Sequence, residues 1–148
     1  MQSSLRLSLL VVLPAALVLA ADAPKPPAMD DQLVAHVKDA KFAPPKQPEI
    51  PPGVMGSPIA ADPGGANIGY AKYVPGYTFP MHWHSFTEYT NLISGKIQYV
   101  VNGKTYDLEP GSYIAIPAKA HHLAKCVSSV ECVVLTRRAG PVDYNWVK

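Results

Sequence analysis

The second half of this chain predicts an all-β domain, and three observations predict it. From Asn67 onward the sequence breaks into apolar-rich runs of four to eight residues. Turn residues separate these runs, at Pro75-Gly76, Ser94-Gly95, Asn102-Gly103 and Pro110-Gly111. No helical periodicity of useful length appears there. Short runs closed by turn residues argue for a compact antiparallel barrel or a double-sheet sandwich.

In order, the runs are "NIGYAKYV", "YTFPMHWH", "EYTNLI", "KIQYVV", "KTYDL", "SYIAI", "HHLAKCV" and "VECVVLTR". Asn102-Gly103 between two alternating runs is the strongest short hairpin signal, because both residues accept the positive φ that a tight hairpin turn demands. Alternation puts Ile97, Tyr99 and Val101 on one face of their strand.

Ahead of the strands the texture differs. Residues 24–63 hold ten of the sixteen prolines, which predicts an extended, solvated stretch. Within it "MDDQLVAHVKDAKF" has room for one helical turn or two, with Asp30 or Asp31 as cap. His36, alone there, reads as a surface or packing histidine. The run "LRLSLLVVLPAALVLA", with Arg6 as its one charge and "ADA" behind it, reads as an export signal. It is shorter than the roughly 20 apolar residues of a comfortable membrane span. The expected organisation is a signal peptide over 1–23, cleaved between about 20 and 23, a Pro-rich arm over 24–49, and a β-barrel domain over 50–148. The mature protein is then periplasmic or extracellular. Cys126 and Cys132 fit that compartment as a short cross-hairpin disulfide; two buried thiols, or a thiol beside a metal, are the other readings.

The chain of 148 residues carries a net charge of +2, too small for a nucleic-acid surface, and no basic run is interleaved with aromatics. No basic amphipathic stretch supports membrane binding after signal cleavage. A nucleophile–base pair, a phosphate-cradling loop and a Cys-x-x-Cys are all missing from the sequence, so any chemistry must run through a metal. "GYTFPMHWHSFTEYTNLISG", Gly76 to Gly95, supplies the donors. Residues two apart on a strand share a face, so His82 and His84 stand together with Trp83 turned away. Glu88 shares their parity. Two imidazoles and a carboxylate at one point suit a divalent transition metal. A second stretch, "GSYIAIPAKAHHLAKC", offers His122 at the opening of another strand.

These two stretches resemble the two motifs of the cupin superfamily. The first has Gly76, five residues, His82-x-His84, three residues, Glu88, six residues and Gly95; the second has Gly111, five residues, Pro117, and His122 five further on. Fifteen residues separate them, a spacing similar to that of small microbial cupins. The resemblance implies an antiparallel double-sheet jelly-roll barrel in which His82, His84, Glu88 and His122 hold one divalent transition metal. Fe(II) and Mn(II) suit such an open site, although Zn, Ni, Co and Cu also bind imidazole and carboxylate. It implies a metal-dependent enzyme, dioxygenase-like or a lyase, decarboxylase or isomerase, acting on a small oxygen-rich or aromatic molecule. The alternative is a non-catalytic exported protein that holds a metal or small ligand. A homodimer is the expected assembly. Tyr70, Tyr99, Phe79 and Phe86 are candidates to line the pocket. Two residues depart from the pattern. Lys119 replaces the glycine usual two after the proline, so a different turn is expected there, and Cys126 replaces the usual final asparagine. Spacing selects His122 over His121, unless the altered turn slips the strand by one residue.

Overall fold

Short β-branched and aromatic runs do become strands. The structure, a computed structural model, describes residues 34–62 and 65–148. The expected signal peptide, the start of the arm, and Asp30 and Asp31 lie outside the described residues. Among the described residues ten strands follow in chain order: β1 Val54–Ala61, β2 Asn67–Tyr73, β3 Thr78–Trp83, β4 Glu88–Ser94, β5 Ile97–Val101, β6 Lys104–Leu108, β7 Tyr113–Ile116, β8 His122–Cys126, β9 Cys132–Arg138 and β10 Asn145–Trp146. All pairings are antiparallel, in two five-stranded sheets ordered β1-β2-β9-β4-β7 and β10-β3-β8-β5-β6. This is the jelly-roll-like double sheet, with no α-helix among the described residues. The core between the sheets holds Leu92, Ile97, Tyr99, Ile116 and Val134. Ile97 and Tyr99 point inward together, as their alternation predicts.

The stretch before Asn67 departs from the expectation of a solvated segment. Eight of its residues form β1, which contains Pro58. A proline has no ladder donor, and β1 tolerates one because it lies at a sheet edge and its register shifts between Pro58 and Ala60. The arm folds back as well: Ala43 bridges Gly56, and Ile50, just past the arm, is buried in the core. Among the arm's described residues the helical content is one 3₁₀ turn, Val37–Asp39, with exposed His36 in the N-cap place. β10 has too few residues to show a pattern in sequence.

The turns follow their chemistry. Asn102 and Gly103 both take positive φ, +48° and +81°, closing the β5–β6 hairpin. Lys119 also adopts φ +64°, so the left-handed turn survives without glycine, contrary to the expectation of a different turn. Its N–H donates to His84 O at 2.8 Å, which ties the turn to the histidine strand and offsets a cost of about 1–2 kcal/mol. The turn therefore holds register: His122 is buried and His121 exposed. Cys126 and Cys132 form a disulfide across the β8–β9 connection. Gly95 passes beside it with φ +83°, and a Cβ there would lie 2.8 Å from Cys132 Sγ and 2.9 Å from Glu131 O. We expect Gly95→Ala to destabilise by about 2–4 kcal/mol, from the left-handed backbone and the overpacking together. Gly103→Ala, with nothing within 4 Å of its Cβ, should cost no more than the backbone share. Paired thermal melts check the difference; equal losses would remove the packing explanation.

Candidate metal centre

The two sheets meet at the site. In the β3–β8 ladder His82 is the direct partner of His122, and in the β4–β9 ladder Glu88 is the partner of Arg138. His84 lies just past β3, between the two sheets. A bulge in β3 assists. In a regular strand Phe79 and His82, three apart, would face opposite ways. The register shifts between them at Pro80, so both turn inward, with ring centroids 4.8 Å apart.

His82, His84 and His122 are all buried, and one ligating atom from each lies within 4.8 Å of the others. Their tautomers follow from their partners. His82 Nδ1 meets Pro80 O at 2.7 Å, His122 Nδ1 meets Ala120 O at 2.9 Å, and His84 Nδ1 meets Asp143 O. A carbonyl only accepts, so each Nδ1 carries the hydrogen and each neutral ring presents a lone pair at Nε2. Those lone pairs converge. His82 Nε2 is 3.2 Å from His84 Nε2, which is 3.1 Å from Glu88 Oε2, while buried His122 Nε2 has no partner. Acceptors facing acceptors repel one another unless a cation lies among them. Burial, with His122 and His84 close by, pushes His82 down to about 3; burial also lowers His122. Two of the three rings thus resist supplying the positive charge by taking a proton. The donor set fits a divalent ion that favours imidazole.

Glu88 stands beside this triad but turns to a different cation. Its Oε2 accepts from Arg138 Nη2, and its Oε1 accepts from Thr90 Oγ1 at 3.0 Å. Burial alone would push its carboxyl up; the Arg138 guanidinium outweighs burial and holds it well below the usual carboxylate range. Burial pulls Arg138 down, and the facing Glu88 carboxylate more than restores it.

A cavity of about 390 Å³ opens onto His82, His122, Glu88 and Arg138. Tyr70, Phe79 and Tyr99 lie on its wall; Tyr70 is anchored through its hydroxyl to Ala35 O at 3.0 Å. Phe86 does not line it, which corrects the expectation. It sits on the bend after His84, is 39% exposed and lies against Gly140, because the bend carries it out of the β3 face. Tyr73 and Tyr144 take wall positions instead, as do Pro45 and Gln47 from the arm and Ile50 just after it.

Three functional residues went unread in the sequence. Arg138 had a signal: Cys132, Val134, Thr136 and Arg138 share parity, and the apolar members of that row are core. Asp143 and Tyr144 had none, since they reach the site only through β10. Asp143 O holds His84, while its carboxylate accepts from Ser85 Oγ at 2.6 Å, Ser85 N at 3.1 Å and Asn145 Nδ2 at 3.0 Å. Tyr144 stacks on Trp146 and Phe79 and approaches His84 with ring centroids 5.2 Å apart.

Residues 69–136 match the family model described as the cupin domain. No curated protein sequence matches the chain. Among solved structures, the polyketide cyclase RemF from Streptomyces resistomycificus is similar, with TM-score 0.65, 19% identity, and coverage of 78% of this chain and 84% of that one. A predicted oxalate decarboxylase from Thermotoga maritima has TM-score 0.63 and 14% identity, covering 72% and 97% of the two chains. The Cnp3 cupin domain of Schizosaccharomyces pombe has TM-score 0.64 and 11% identity, covering 73% and 74%. At these identities the likeness is one of fold.

Proposed function

We propose that this chain, whose residues 69–136 match the cupin domain model and whose fold is similar to that of solved cupins, is a metal-dependent enzyme for a small oxygen-rich or aromatic molecule. The observation that carries this reading is the convergence of three Nε2 lone pairs, one of them unpartnered, with His82 and His122 on the wall of a cavity large enough for such a molecule. His82, His84 and His122 would hold the ion, with Glu88 as the fourth donor, its charge shared with Arg138. A bound divalent ion supplies Lewis acidity, polarising a carbonyl or activating an oxygen ligand. The chain's own residues do the rest. Pro80, Ala120 and Asp143 carbonyls orient the three rings, which keeps their lone pairs inward. Phe79, Tyr99 and Tyr144 exclude water and present flat faces to a ring.

We place the protein outside the cytoplasm on the strength of its expected signal peptide; the Cys126–Cys132 disulfide agrees with an oxidising compartment. A second reading, a non-catalytic exported binding protein, is favoured by one observation. Apart from the histidines, Glu88 and Arg138, the titratable groups shown to be shifted on the cavity wall are Tyr73, Tyr99 and Tyr144, whose phenols burial pushes up, so none offers a ready base.

The test is metal content by mass spectrometry of the mature protein, purified without a histidine tag, beside His122→Ala. We expect about one divalent ion per chain in the wild type and loss of most of it in the variant. An empty wild type would sink the metal reading. Stoichiometric metal without oxygen uptake or turnover on catechols, flavonols and diketones would favour the binding protein.

A further inference from the structure

Arg138 is buried at 7% exposure yet lines the cavity. One of its nitrogens, Nη2, serves both Glu88 Oε2 and His84 Nε2, while its Nε–H has no partner. An unpaired donor on a permanently charged, buried group is costly, and a guanidinium is shaped to receive two oxygens of one carboxylate. Arg138 and Glu88 are the only Asp, Glu, Lys or Arg residues on the cavity wall among the described residues, and their charges cancel. A divalent ion held by neutral imidazoles would then leave the cavity with unmatched positive charge in an apolar surround. An anion answers both needs. Much of the remaining wall is aromatic and aliphatic, with Phe79, Tyr99, Tyr144, Ile50 and Ile68, beside the neutral polar Gln47, Ser57, Asn67 and Thr136.

We propose that the cavity takes a small aromatic carboxylate, its charged oxygens received by Arg138 and its ring packed among Phe79, Tyr99 and Tyr144. This deepens the proposed function by naming the ligand's charge; it rests on that reading for the ligand's place beside the ion and for the ion's unmatched charge, and stands independently of it on the unpartnered Arg138 Nε–H.

The experiment compares salicylate with salicyl alcohol, a neutral molecule of the same ring, by calorimetry on the full mature chain, as purified and after chelator treatment. In both states we expect the wild type to favour salicylate, by about tenfold, the worth of a charge-assisted hydrogen bond. Glu88→Gln, which frees the guanidinium from its internal carboxylate, should bind salicylate more tightly. The double variant Glu88→Gln/Arg138→Gln, which leaves no charge buried alone, should lose the preference and still bind salicyl alcohol. No preference in the wild type, a preference that survives in the double variant, or weaker salicylate binding by Glu88→Gln would each overturn the proposal. A chain that prefers salicylate yet carries no metal would sink the metal reading and leave this one standing. A metal-loaded chain indifferent to charge would do the reverse.

Discussion

Arg138→Gln is expected to lower the unfolding free energy by about 3–5 kcal/mol, the cost of leaving a buried carboxylate without its counter-charge. Glu88 is 4% exposed, and among the described residues its hydrogen-bond donors are Arg138 and Thr90 Oγ1. A hydroxyl does not replace a guanidinium. The variant must therefore hold an uncompensated charge between the sheets or take up a proton there. Removing both charges has a different consequence. Glu88→Gln/Arg138→Gln keeps the shape at 88, shortens the side chain at 138 and leaves no buried charge unpaired, so it should recover most of the loss. Urea unfolding of the wild type, both single variants and the double variant closes the cycle. A double variant as unstable as the sum of the singles would mean that the pair is not coupled, and the cross-strand register of Glu88 and Arg138 would then be a matter of shape alone.

Chelator-treated protein should lose stability steeply as pH falls from about 6.5 toward 3, because His82 titrates near 6.5 when unfolded and near 3 when folded. Within that window the unfolded chain binds the proton and the native chain does not, so acid favours unfolding. The slope from one such group approaches about 1.4 kcal/mol per pH unit. His122, lowered mainly by burial, adds to it with the same sign. Glu88 joins below its ordinary carboxylate range: its folded pKa is depressed, so its contribution is present above that range and is lost as pH falls. Above about 6.5 these groups contribute no slope. Metal-loaded protein should be more stable at neutral pH and converge on the stripped protein in acid, since protons compete for the same lone pairs. Urea midpoints from pH 7.5 to 4, with and without chelator, check this. A flat profile for the stripped protein between pH 6.5 and 5 would show that the imidazoles take protons as readily folded as unfolded.

What the sequence revealed and what it hid divide by distance along the chain. His82 and His84 were legible because a period of two is a local property. The Asn102-Gly103 hairpin was legible because both residues tolerate positive φ. His122 came from spacing within a motif. β1 was hidden because Pro58 reads as a breaker until its edge position is known, and Lys119 because a lysine gives no sign that it will accept a left-handed turn. The inward face of Phe79 depends on a bulge, which shifts parity without leaving a mark in composition. The pairing of Glu88 with Arg138 needs the β4–β9 register, and that joins segments fifty residues apart.

The hydrogen bond from His84 to Asp143 O spans fifty-nine residues. During synthesis His82, His84, Glu88 and His122 all leave the ribosome before Asp143 does. For that interval the growing chain owns every donor of the site and lacks the carbonyl that fixes which nitrogen of His84 carries hydrogen. β10 must then thread back beside β3, a non-local pairing of the slow kind. Completion of the site is therefore a late event in the life of each molecule, timed by the arrival of one backbone oxygen. A chain cut short just before Asp143 would keep all four donors and lose the order among them.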